Sequence, residues 1–213
     1  MIRISGIKYQ DELERLPFFN KITASVLIGK EGKNLDKKLD RLIEIHYLKV
    51  LKKGMYVTDP YFGRVEKELY FEYIANVLRE PSYISGEYVL SNEGLIPESV
   101  FSITSITRKT TRKYQNFLGS FIYKNIKSEL FLGFIEKKWL DKTIYIASKA
   151  KALFDYFYLK RMDNIRTSVL DARINWDSFA GGDINEFGKY VKLSGSKKML
   201  RVLKNIKENY VSF

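Results

Sequence analysis

The 213-residue chain contains no cysteine, a single histidine, two tryptophans and four prolines. The absence of cysteine excludes disulfides and cysteine-type zinc sites, and is compatible with a cytoplasmic home. One histidine leaves no material for His-based metal clusters or for a His-dependent triad of the usual kind. No run approaches 18 uncharged apolar residues, so no membrane span is expected. The opening "MIRISGIKYQDELERL" has no long apolar core, so no signal peptide is expected. Internal repeats and low-complexity tracts are absent. Acidic residues are scarce in one place above all: from Ser99 to Ser128 there is no Asp or Glu.

What is present is apolar and basic. Hydrophobic residues make up 45% and aromatics 15%, which is folded-protein composition. Thirty-seven Lys and Arg stand against 25 Asp and Glu, a formal charge of +12. A field of that sign favours polyanions, although many basic proteins are simply basic.

Residues 8–16 predict a short helix ending before Pro17, and Thr23 is a candidate N-cap for a second. Residues 34–46 read as a longer helix. At 100° per residue Leu35, Leu39, Leu42, Ile43 and His46 share one face. Asn34, Lys37, Lys38 and Arg41 lie opposite, and Asp36, Asp40 and Glu44 fall on a separate arc. His46, in the apolar stripe, reads as a core or subsurface histidine. Residues 48–51 and 55–58 read as short strands joined by Lys52, Lys53 and Gly54. A charged helix face is usually a solvated face, and a Lys-Lys-Gly turn is often only a soluble turn. In this order, within so basic a chain, they predict a winged helix-turn-helix spanning 1–76. Asn34, Lys37, Lys38 and Arg41 then face the major groove, with Lys49, Lys52 and Lys53 in the wing.

Residues 66–79 predict an aromatic-rich amphipathic helix that breaks at Pro81. Beyond it, 77–213 reads as an α+β domain. A helix is expected over 85–94. Strands are expected at 100–107, 119–126, 130–137 and 142–147, in a mainly antiparallel sheet. Helices follow, one capped by Ser148, one with Asp183 as N-cap, and a last over 196–210. In that last helix Met199, Leu200, Leu203 and Ile206 form the apolar stripe, ringed by Lys197, Lys198, Arg201, Lys204 and Lys207. The acid-free stretch supplies a second basic surface: Arg108, Lys109, Arg112, Lys113, Lys124 and Lys127. Its interleaved threonines and aromatics suit phosphate binding and base stacking.

Enzyme signatures fail one by one. Gly119-Ser120 is not followed by the spaced carboxylates of a nucleotidyltransferase. Glu136 and Lys138 form the second half of a restriction-nuclease motif whose upstream acid is missing. No Walker-type Gly-Lys-Ser/Thr and no G-x-S-x-G occurs. No catalytic residue, cofactor or metal is expected.

The stretch from Glu80 to Phe134 resembles the AbiEi-type antitoxins of type IV toxin–antitoxin systems. The similarity rests on Tyr83-Ile84-Ser85, Leu90, Gly94-Leu95-Ile96-Pro97-Glu98, Ile103-Thr104, Thr107, Gly119, Phe121, Tyr123, Leu130-Phe131 and Gly133-Phe134. It resumes at residues 146–159 with Lys151, Ala152, Leu153 and Asp155. After Leu159 no motif of the family matches. The resemblance implies an N-terminal winged helix-turn-helix that represses its own operon through repeats in double-stranded promoter DNA. It also implies a C-terminal antitoxin domain, within an abortive-infection, phage-defence system. The counterpart is a nucleotidyltransferase-like toxin, opposed without a stable complex. The alternative reading of the residues is an RNA-binding module or a degenerate nuclease-like protein acting through the β domain.

Overall fold

The computed structural model describes residues 4–210 and is a mixed α+β fold. The chain folds as two compact units. The first holds the residues up to Phe71 together with Gln115–Leu118, and the second the rest.

In the first unit the chain runs α1 (Gln10–Leu13), β1 (Phe19–Asn20), α2 (Lys21–Ile28), α3 (Gly32–Glu44), β2 (Leu48–Lys52), β3 (Met55–Thr58) and α4 (Asp59–Arg64). The first helix is a single turn, shorter than the expected 8–16. The cap of α2 is Asn20, not Thr23: the Asn20 carboxamide oxygen accepts the Thr23 backbone N–H at 2.9 Å. Asn20 stands three residues earlier in extended backbone, the geometry a capping side chain needs, and Thr23 becomes the residue that is capped. Leu35, Leu39 and Leu42 of α3 are buried with Leu13, Phe19, Ala24 and Ile28 in one apolar cluster. The helix ends at Glu44, so His46 falls outside the stripe. It is exposed, at φ 59°, in the turn that leads into β2. β1, β3 and β2 form an antiparallel three-stranded sheet in that order. Gly54, at φ 76°, makes the tight turn between β2 and β3, a conformation that side-chain-bearing residues avoid.

α5 (Lys67–Leu78) begins in the first unit and ends in the second. There follow β4 (Ser82–Ile84), α6 (Glu87–Asn92), β5 (Ile103–Thr107), β6 (Arg112–Asn116), β7 (Gly119–Asn125), β8 (Phe134–Trp139), β9 (Lys142–Ala147), α7 (Lys149–Leu159), α8 (Ile165–Leu170), α9 (Gly181–Ser194) and α10 (Lys197–Asn209). The six strands run β6-β7-β5-β4-β9-β8. The expected mainly antiparallel sheet is in fact mixed. β4 pairs antiparallel with β5 and β8 with β9, but β5 pairs parallel with β7 and β4 parallel with β9. The reason is β6, which lies outside β7, so that β7 returns beside β5 in the same direction. On one face, the C-terminal half of α5 is tied down by Tyr123, whose hydroxyl donates to the Ala75 carbonyl. Asn76 also holds this face, exchanging side-chain hydrogen bonds with the backbone of Tyr145. Tyr83 and Ser85 face the other side, toward α7.

Two helices also differ from expectation. The N-cap of α9 is Ala180, not Asp183: Asp183 stands three residues inside, and its carboxylate reaches back to accept the Ala180 N–H at 3.0 Å. The buried residues of α10 are Met199, Val202 and Ile206, while Leu200 is 49% exposed. No helix among the described residues is long and apolar enough to cross a membrane.

Candidate nucleic-acid interface

The first basic surface is the outer face of α3. Burial of the three leucines turns Asn34, Lys37 and Arg41 outward, where all are exposed on neighbouring turns. Lys38 points elsewhere. It is half-buried and donates to the Ser5 carbonyl at 2.5 Å, next to Gly6. Burial, then the nearby Arg41 and Lys30 charges, lowers its pKa. Asp36, on the acidic arc, is paired with Lys21 of α2 at 2.5 Å, which neutralises part of that arc.

The residues expected in a wing separate similarly. Lys53 is exposed at the turn and Lys52 is half-buried at the end of β2, beside an irregularity in the β2–β3 register. Lys49 lies at the opposite end of the hairpin. It pairs with Asp59 at 3.0 Å and lies 5.7 Å from the Phe62 ring centroid and 5.5 Å from that of Phe117. Ionic and ring interactions of that kind hold the ammonium in place.

The second basic surface lies in the second unit, where β5 must pass over the end of β7 to reach β6. Residues 108–111 make that passage, and the turn is clamped. Asn125 donates through its amide to the carbonyls of Arg108 and Lys109 at 3.1 and 3.0 Å. Arg79 donates to the Thr110 carbonyl and hydroxyl. Thr107 donates its hydroxyl proton to the Pro81 carbonyl and accepts the Lys109 N–H. Arg108, Lys109, Arg112, Lys113 and Lys127 are exposed around this turn. Lys124 is set apart, paired with Glu87 at 3.3 Å. Arg79 and Asn125, which shape the turn, are not evident from the sequence: each acts on a backbone brought close only by the fold.

The last helix contributes less charge than its composition suggests. Lys198 donates to the carbonyls of Phe157, Tyr158 and Lys160, closing the C-terminal end of α7, and burial lowers its pKa.

Beneath the sheet lies a buried polar group. Lys151 and Asp155 of α7 are fully buried and paired at 2.7 Å. Asp155 also accepts from Ser85 at 2.8 Å and Tyr83 at 3.0 Å, and Lys151 donates to the Leu130 carbonyl at 2.9 Å. Burial raises the Asp155 carboxyl and lowers the Lys151 ammonium, each opposed by the other's charge. The same burial pushes the Tyr83 phenol up. The spacing of Lys151 and Asp155, one helical turn apart among the apolar residues of α7, is the sequence signal for this pair.

Glu136 and Lys138 sit on the edge strand β8, exposed and 3.3 Å apart. Among the described residues no group of three or more His, Asp or Glu is placed to hold a metal ion. Compared with known proteins, the chain matches no protein-family model and no curated protein sequence.

Proposed function

We propose that the chain is a duplex-DNA-binding transcriptional autorepressor and antitoxin of the AbiEi type, with its first unit acting as a winged helix-turn-helix. The observation that carries this reading is α3. It is a 13-residue helix whose leucines are buried against α1 and α2 while Asn34, Lys37 and Arg41 stand exposed on one side. The β2–β3 hairpin follows directly, with Lys53 at its tip, and β1 completes the sheet. That arrangement suits a helix in the major groove and a wing on the backbone. Lys38 and Lys49 are engaged internally, so reading the groove falls to Asn34, Lys37 and Arg41. Lys52 and Lys53, nearest the tip, meet the backbone. The second unit then carries the antitoxin role, acting against a nucleotidyltransferase-like toxin in the cytoplasm without a stable complex.

The test is binding to the chain's own promoter, with a scrambled duplex alongside. Arg41→Ala should cost about 1–3 kcal/mol on the promoter and little on the scrambled duplex. Lys52→Ala/Lys53→Ala should flatten the salt dependence by about 0.9 for each phosphate no longer neutralised. Equal affinity for both duplexes, unmoved by Arg41→Ala, sinks the reading.

A further inference from the structure

The second unit contains a pocket of about 520 Å³ that the duplex-binding reading does not use. Its volume is within the usual range for ligand sites. Four aromatic side chains line it: Tyr73 from α5, Phe131 and Phe134 from the approach to β8 and its first residue, and Tyr145 from β9. The rings are held in defined orientations. Phe131 and Phe134 lie 5.5 Å apart, and Phe134 meets Tyr145 edge-on at 5.6 Å. Asn76, whose carboxamide is bonded to the Tyr145 backbone, fixes the wall between α5 and β9. The exposed Glu80 carboxylate and the Thr143 hydroxyl add polar groups to the lining.

The rim has the opposite character. The Arg108 guanidinium lies over the Phe131 ring at 5.4 Å. Pro81 and Ser82 of the wall are bonded or paired to Thr107, the residue before Arg108. Ile126 donates its N–H to the Thr107 carbonyl, which brings Lys127 to the same end of the sheet. Arg108, Lys109 and Lys127 are therefore exposed around one side of an aromatic pocket, on a turn already clamped by Asn125 and Arg79. The stretch from Ser99 to Ser128 that carries them holds no Asp or Glu, and the nearby carboxylates are Glu80 in the lining and the exposed Glu129.

We propose that this pocket takes an unstacked base of a single-stranded nucleic acid, with Arg108, Lys109 and Lys127 on the flanking phosphates. Aromatic faces accept any base, and cations beside them follow the backbone. A strand suits the rim better than a free nucleotide, because it brings successive phosphates past cations on separate backbone positions. A duplex does not fit, since its bases are stacked and cannot enter the aromatic walls.

The test uses the full chain and an oligothymidine ten-mer with one central 2-aminopurine, in DNA and RNA form. Stacking on the rings should quench the 2-aminopurine. This signal reads the base itself, so it is independent of whether α3 binds duplex. Tyr145 is partly exposed and its backbone carries the bonds to Asn76, so Tyr145→Ala tests the wall with the fold checked by thermal melting. It should raise Kd by about 5- to 150-fold and abolish most of the quench, with Tyr145→Phe restoring both. Arg108→Glu/Lys109→Glu should flatten the salt dependence by about 1.4, or about 0.7 for each phosphate of a single strand left without its cation. Quench of either strand supports the site and assigns its sugar. Quench of neither, an unchanged Kd in folded Tyr145→Ala, or competition by free nucleotide at the same concentration as the strand overturns it.

Discussion

Replacing Asp155 by leucine should be the most damaging single change in the second unit. The carboxylate accepts from Lys151, Ser85 and Tyr83 at 2.7, 2.8 and 3.0 Å, and none of these groups is near water. Asp155→Leu leaves a buried ammonium with the Leu130 carbonyl and nearby ring faces as neighbours, and two buried hydroxyls without their acceptor. Losing one partner of a buried ion pair costs about 3–5 kcal/mol, and each stranded hydroxyl adds about 1–3 kcal/mol. Lys151→Met should cost less, because the carboxylate it strands keeps both hydroxyl donors. Fluorescence isolates the effect: Trp139 and Trp176 are the chain's two tryptophans, and both belong to the second unit. At about 2–4 °C per kcal/mol, the ion-pair term alone shifts the melt of Asp155→Leu by about 6–20 °C. Acidity gives a second reading. Burial already raises the Asp155 carboxyl above its ordinary 3.8. A raised carboxyl binds its proton more tightly in the folded state, so stability falls as pH rises through the window between the unfolded and folded values. Removing the ammonium raises the folded value further, so Lys151→Met should regain part of its loss as pH falls toward the ordinary carboxylate range. A loss below about 1 kcal/mol in Asp155→Leu, or a larger loss in Lys151→Met, would refute the reasoning, since either is incompatible with the desolvation costs it assumes.

Two further outcomes follow from single residues. Gly133 sits at φ 79°, and a Cβ there would collide with the Tyr190 hydroxyl. Gly133→Ala should destabilise by at least the left-handed backbone cost of about 1–2 kcal/mol, read as a lowered urea midpoint, with Tyr190→Phe recovering part by removing the nearest atom. Lys198→Met should cost about 1–3 kcal/mol by releasing the α7 carbonyls it binds, and faster amide exchange at residues 157–160 would report the frayed end.

The elements that were legible in the sequence are those whose pattern is local. The leucine spacing of α3, the Gly54 turn and the Ser148 cap, which accepts the Lys151 N–H, all depend on neighbours within four residues. β4 was hidden because three residues buried on both faces carry no alternation. β6 was hidden for the opposite reason: at the sheet edge it exposes Arg112, Lys113 and Gln115, and reads as a basic loop. The parallel pairing of β5 with β7 depends on where β6 lies, which no strand encodes in its own residues. The stripe of α10 rotated because one turn of helix offers Val202 and Leu203 as near-equal candidates, and packing against α7, α8 and α9 selects between them. Of the basic residues, charge was legible but destination was not. Lys38, Lys49 and Lys198 are as basic as Lys37 and Lys53, and each is spent on a carbonyl, a carboxylate or a ring inside the fold.

The short segment Gln115–Leu118 belongs with the first unit although it begins 44 residues beyond Phe71. Asn116 donates its amide to the Leu51 carbonyl at 2.8 Å, and Phe117 meets Phe62 edge-on at 5.1 Å. The first unit is therefore not a contiguous cassette. During synthesis it lacks these partners until the β6–β7 hairpin has emerged, and a fragment cut at residue 76 leaves the Leu51 carbonyl and the Phe62 ring without them. Transplanting residues 1–76 alone would therefore carry the helices and the β2–β3 hairpin but leave Gln115–Leu118 behind.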